Sequence, residues 1–127
     1  MQELITRVTV HDKSKFSEEE FEPYRKNFFP INVEEKENNK EDFEKAWEHH
    51  WKNNDHHWQA REKTKTLNRG ACWEMILDWM AMGMKFNDKC WEYYEQHKDE
   101  IHMNDLETEY VEDILAAIKN EDMNSNV

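Results

Sequence analysis

The sequence predicts an all-α fold, and three observations carry that prediction. Only two Gly and two Pro punctuate 127 residues, which leaves too few turn formers for an all-β chain. Apolar residues recur at three- and four-residue spacings over several segments, the period of a helix with one buried face. Helix-start residues precede two of those segments, at Ser17 and Asn104. The expectation is one compact helical domain of about six helices over residues 1–120, followed by a frayed tail, EDMNSNV, over residues 121–127.

Taken in order, Ser17 with Glu20 three residues on reads as a capping box. Phe21, Tyr24, Arg25 and Phe28 then share a helix face, and Pro30 stops the run. Residues 31–42 (INVEEKENNKED) are polar and irregular and read as an exposed loop. Phe43, Ala46, Trp47 and His50 fall at i, i+3, i+4 and i+7, an amphipathic helix interrupted by Asn53-Asn54-Asp55 before the chain restarts at His56-His57-Trp58. Cys72, Met75, Ile76, Trp79 and Gly83 trace one face of a helix from about Ala71 to Met84, and Trp91, Tyr94, Lys98 and Ile101 trace another. Asn104 with Glu107 introduces the last helix, which carries Val111, Ile114, Leu115 and Ile118.

Composition narrows the class of protein. Hydrophobic residues make up 37% of the chain and its mean hydropathy is −1.20. No stretch approaches the ~20 apolar residues of a spanning helix, so no membrane role is expected. Low hydropathy with a net charge of −12 comes near the composition of disordered chains. Against that stand 13% aromatic residues, including six Trp. Each large ring buries roughly 150–250 Å², and a small core of rings and Met is expected. The start MQELITRV lacks the charged and apolar regions of a secretion signal. Cys72 and Cys90 are too few for a disulfide framework, so they read as buried reduced thiols of a cytoplasmic protein. Seventeen basic against 29 acidic residues argue against direct nucleic-acid binding, which depends on neutralising phosphates.

Seven His are present, and five of them are His11, His49, His50, His56 and His57. Imidazole and carboxylate together suit divalent ions such as Zn, Mn or Fe. On one continuous helix His50 and His57 would stand about 10 Å apart, so the Asn53-Asn54-Asp55 break is what lets them share an ion. His50 lies on the face of Phe43 and Trp47 and is preferred to His49; His57 is preferred to His56. His11 and Asp12 are expected about 100° apart on a helix, with an ion at the flank between them. Asp78, inside the apolar stretch WEMILDWMAM, is either a ligand or part of a solvent-facing stripe with Glu74 at i, i+4. Arg61, Lys63, Lys65 and Arg69 form a basic segment; Arg61, Lys63 and Lys65 are candidates to hold a substrate phosphate beside the metal, the commoner reading being an ordinary solvated loop.

The segment His11-Asp12-Lys13-Ser14-Lys15 resembles the metal motif of the HD superfamily of phosphohydrolases, in which Lys at the fourth position follows the dyad in many binuclear members. The resemblance implies an HD-like helical bundle, with His11, Asp12, His50, His57 and Asp78 as ligands and Lys15 as the residue stabilising charge on phosphate oxygens. Three blocks, HDKSKFSEEEFEPYRKNFFP, AWEHHWKNNDHHW and EMILDWM, are more closely similar to a phage and bacterial family of unknown function, family 5662. HD enzymes usually supply an earlier His, and residues 1–10 contain none. Either the second member of a His pair replaces it or the site is weak or inactive.

The expected function is metal-dependent hydrolysis of a nucleotide or other small phosphoester with one or two ions of Mn, Fe, Zn or Mg. The alternative is an acidic phage-type protein that binds and inhibits a host factor, the His cluster being only a structural metal site. That alternative rests on residues 92–122, which carry eleven acids and two bases.

Overall fold

The computed structural model describes residues 2–61 and 66–125. In chain order these form α1 (Gln2–Thr9), a 3-10 turn (Lys13–Phe16), α2 (Phe21–Phe28), α3 (Val33–Asn38), α4 (Lys40–Asn53), α5 (Trp58–Arg61), α6 (Arg69–Phe86), α7 (Cys90–His97) and α8 (Asp105–Ser125). Among the described residues there is no strand, and no helix is long and apolar enough to cross a membrane.

The helices fall into two packing groups. On one side α6 packs on α7 and α8, and on the other it receives α1. The second group is built on α4, which packs against α2, α3, α5 and the 3-10 turn. The apolar core belongs to the first group: Cys72, Met75 and Ile76 of α6, Cys90 and Tyr94 of α7, and Val111, Ile114 and Leu115 of α8. Trp73, Trp79 and Trp91 cover its margin, and the Trp73 indole N–H donates to the Tyr110 hydroxyl at 3.0 Å. Both cysteines are buried and free, and burial pushes the Cys72 thiol up to about 11.

Local signals explain where these helices start and stop. Asn68 accepts from the Ala71 N–H and opens α6. Asn87, left-handed at φ 59, closes it, a conformation that Asn tolerates better than most residues. Gly83 sits where the chain turns toward α7; a Cβ there would lie 2.5 Å from the Asp88 carbonyl oxygen. Asn104 accepts from the Glu107 N–H at 2.8 Å, as the sequence predicts for the start of α8. That helix continues to Ser125, into the segment read from sequence as a frayed tail.

Two local expectations are corrected. Residues 31–42 are not an irregular loop: Asn32 caps α3 by accepting from the Glu35 N–H at 2.8 Å, and α4 begins at Lys40. Ser17 and Glu20 form no capping box. The Ser17 hydroxyl donates to the Ser14 carbonyl, α2 starts at Phe21, and the Glu20 side chain is fully buried against His49 and His50. With its carboxylate committed to those two imidazoles, Glu20 is not available to cap the turn.

Candidate metal centre

Four segments of chain bring the candidate residues together. The first is the turn after α1. Asp12 has φ 56, and this left-handed residue replaces the continuous helix expected for the His11-Asp12 pair. It leaves the His11 ring and the Asp12 carboxylate side by side, with Nε2 3.3 Å from Oδ2. The second is the last turn of α4, where His50 is 1% exposed and Trp47 stacks against it.

The third is the break after α4. Asn54 is extended, and its amide donates to the His50 carbonyl and to the Ser14 hydroxyl, both at 2.7 Å. This reversal carries His56 and His57 back over His50, so that His50 Nε2 and His57 Nε2 come within 3.0 Å. The fourth segment is α6, which presents Glu74 and Asp78 from successive turns.

The distances have the scale of a coordination sphere. Asp12 Oδ1 lies 3.3 Å from His50 Nε2 and 3.4 Å from His56 Nε2. Ligands about 2.0–2.1 Å from a tetrahedral ion are about 3.3–3.4 Å from one another. Asp12, His50, His56 and His57 form one group of donor atoms that could hold an ion, and His11, His56 and Asp78 form a second. His56 belongs to both. Asp12 Oδ1 and His56 Nε2 are also buried without a hydrogen-bond partner. A buried polar atom left unpaired costs roughly 1–3 kcal/mol, and a cation between these two would satisfy both.

A second layer of carboxylates orients the rings. Glu20 Oε1 stands 2.7 Å from His50 Nδ1, and Glu74 Oε1 stands 3.0 Å from His11 Nδ1 and 3.5 Å from His56 Nδ1. An Nδ1–H that donates to a carboxylate leaves the Nε2 lone pair for a metal, the usual arrangement around ligating histidines. Arg7 bonds Glu74 at 3.1 Å and also pairs with Asp55. Lys15 places its ammonium 3.0 Å from Asp12 Oδ2 while remaining half exposed.

The protonation states fit ligation. Burial pushes the Asp12 carboxyl up, but its contacts with His11, His50 and Lys15 outweigh this and hold it well below the usual carboxylate range. Asp78 is likewise lowered, burial being outweighed by His11 and His56. Burial, with His56 and His50 adjacent, depresses His57 to about 3; burial also lowers His56. His11 moves the other way, to about 11, because Asp12, Asp78 and Glu74 surround it. Near neutrality the cluster therefore offers ionised carboxylates and neutral His56 and His57, with one proton on His11 that an ion would displace.

All five residues singled out as ligands from the sequence, His11, Asp12, His50, His57 and Asp78, lie in these two groups. His49 does not; it faces Glu20. His56, set aside in favour of His57, is the residue common to both groups. Glu74 and Asp78 do form an i, i+4 stripe, but it faces the histidines and Glu74 is buried. Arg61 does not reach the cluster: its guanidinium pairs with the buried Glu107 at 2.8 Å. Lys63 and Lys65 lie outside the described residues. Glu20 and Glu74 are not among the site residues that the sequence predicts; the His-His doublet and the 74/78 spacing are signals for His56 and Glu74, whereas Glu20 reads locally as a cap.

A cavity of about 400 Å³ opens beside the cluster, with His57 and Asp78 on its wall together with Trp47, Trp58, Trp79 and Tyr93.

Fold and site define a class: an all-α protein with a buried histidine–carboxylate cluster that could hold a divalent ion. The chain belongs to the family of unknown function DUF5662, whose model matches residues 1–120. No curated protein and no solved structure matches it.

Proposed function

We propose that this protein is a metal-dependent phosphohydrolase acting on a nucleotide or another small phosphoester. The observation that carries the proposal is the pair of buried atoms without a hydrogen-bond partner, Asp12 Oδ1 and His56 Nε2, 3.4 Å apart among ligand-type donors already oriented by Glu20 and Glu74. Asp12, His50, His56 and His57 would hold an ion, or His11, His56 and Asp78 would, since the one free lone pair of His56 serves a single ion at a time. A bound divalent ion polarises a phosphoryl oxygen and lowers the pKa of its water toward 7.

The chain's own groups have separate tasks. Glu20 fixes the ring of His50, and Glu74 fixes those of His11 and His56. Lys15 stands three residues after Asp12, as in the HD phosphohydrolases that this segment resembles. Its ammonium beside Asp12 is placed to offset negative charge on phosphate oxygens. His57 and Asp78 line the cavity, so a ligand entering there meets the cluster.

The acidic stretch over residues 92–122 supports the interaction-protein reading less well, because one of its carboxylates, Glu107, is buried against Arg61.

Metal analysis of the purified protein beside an Asp12→Ala/His56→Ala variant tests the proposal, together with turnover of a phosphoester panel. Bound metal in the native chain only, with turnover lost on chelation, is expected. Equal background metal in both chains would overturn the proposal. Metal without turnover, accompanied by a chelator-lowered Tm, would make the site structural.

A further inference from the structure

We infer that the cavity beside the cluster takes a quaternary ammonium group, held among Trp47, Trp58, Trp79 and Tyr93 and paired with Asp88. This cation site stands on the cavity alone. Joined to the phosphoester reading of the cluster, and resting on it for this step, it makes the substrate a phosphoester of an amino alcohol.

The wall carries both elements that recognise such a cation. Three indole rings and one phenol border a single space of about 400 Å³, within the range of small-molecule sites. Ring faces attract a methylated ammonium, and Trp does so best. Trp79 and Tyr93 have their centroids 5.4 Å apart and their planes tilted by 46°, so neither face is closed off by parallel stacking.

Charge is the second element. Asp88 lines the same wall, and among the described residues it has no ion-pair partner. Basic groups nearby in the chain are engaged elsewhere, Arg61 with Glu107 and Lys89 with Asp122. Lys85 lies over the Phe86 ring, so that fifth ring already has its cation. The described lining residues include no Lys or Arg. Burial raises the Tyr93 hydroxyl, and the negative charges of Asp78, Glu100 and Asp88 raise it further, so this ring stands in a negative field. A neutral ligand would strip water from Asp88 without compensating its charge, and an anionic group there would add repulsion.

The two carboxylates set the direction of the ligand. Asp78 belongs to the histidine cluster. The Asp88 N–H donates to the Gly83 carbonyl at 3.0 Å, and Gly83 lies about 7.5 Å beyond Asp78 along the axis of α6. The phosphate then belongs at the Asp78 end and the ammonium at the Asp88 end, with a short carbon chain between them. In the hydrolysis a water oxygen bonds to phosphorus and the P–O bond to the alcohol breaks. A water proton passes to the departing oxygen, giving inorganic phosphate and the free amino alcohol.

The test uses the full chain with EDTA present, so that no metal contributes. Calorimetry compares choline with ethanolamine, with dimethylbutanol (the uncharged carbon isostere of choline) and with ribose. Choline is expected to bind, and each of the other three to bind at least about tenfold more weakly. Trp79→Leu should weaken choline about tenfold, and Trp79→Phe, which keeps a ring, should cost less. Asp88→Asn should cost about threefold to tenfold. Thermal melts confirm that each variant is folded, and the ligand comparison needs no variant. Absence of choline binding, equal affinity for any of the other three, or an unchanged affinity in folded Asp88→Asn would overturn the inference. Phosphate release after metal is restored, from phosphocholine, glycerol phosphate and AMP, tests the joined step. Phosphocholine is expected to be the fastest, and equal rates would overturn the substrate class. Choline binding without release from any phosphoester would sink the phosphoester reading and leave the cation site standing. Release from AMP without choline binding would do the reverse.

Discussion

The two sides of α6 are held together by different physics. Toward α7 and α8 the interior is apolar but for Glu107, which pairs with Arg61, and Ile76 and Val111 are completely buried. In the half built on α1, α2 and α4 the buried residues include Glu20, Asn39, Ala46, His50, Asn54 and His56, with Glu74 reaching in from α6, six polar and one apolar. The first side gains stability from removing hydrocarbon from water, an effect without direction that tolerates volume-conserving change. The second depends on directional contacts in which each buried group needs a particular partner. Phe16, Phe28, Phe29, Ile31 and Val33 on that side are more than half exposed, so little apolar burial compensates. The polar half is where a cation would contribute most to stability, and the apolar half is the scaffold that carries Glu74 and Asp78 to it.

The contrast can be broken most forcefully at the shared donor. His56→Ala removes a member of both ligand groups, and metal affinity should fall by more than about 100-fold, beyond the roughly 10–100-fold typical of an outer-layer change. Glu20→Ala should fall within that 10–100-fold range. Equilibrium dialysis measures both; equal losses would dissolve the distinction between ligand and orienting carboxylate.

The apolar half answers differently. Ile76→Ala should cost about 2–5 kcal/mol by denaturant unfolding while leaving one folded chain's metal stoichiometry unchanged. Chelation should do the converse. Amides of α1, α2 and α4 should lose hydrogen-exchange protection and those of α8 should keep theirs; uniform loss would mean that the halves unfold as one unit.

Acidity provides a finer probe. In the ion-free protein His11 is raised to about 11, so at pH 6–9 it carries a proton that a metal must displace. Binding that releases one proton strengthens with rising pH, by about tenfold per pH unit. His57, depressed to about 3, adds nothing to that slope. An affinity independent of pH across this window would remove His11 from the ligand set. The smallest expected effect lies far from the cluster: Asn87→Ala, which forces a residue with a Cβ penalty into the left-handed closure of α6, should cost about 1 kcal/mol in thermal unfolding.

Much of this arrangement is legible along the chain. The 3.6-residue spacing of Cys72, Met75, Ile76 and of Val111, Ile114, Leu115 predicts the two helices that build the apolar core, because periodicity encodes a buried face locally. The same spacing predicts that His50 points inward with Ala46. The Asn53-Asn54-Asp55 interruption predicts that His50 and His57 can meet, and their Nε2 atoms do come within 3.0 Å. The cap at Asn32, and with it α3, is missed because an acidic stretch without apolar spacing carries no face to detect. Glu20 is missed for another reason: its neighbours satisfy a capping pattern, while its partners lie 29 and 30 residues away.

The sequence by itself determined the helical class, the apolar stripe of α6 and the inventory of ligand-type residues, since each is written in local spacing and residue chemistry. Only the tertiary structure decided which donors share a point in space. His56 joins both groups, Arg61 is committed to Glu107, and the 74/78 stripe faces inward, because the left-handed turn at Asp12, the Asn54 reversal and the docking of α1 on α6 bring together segments far apart in the chain.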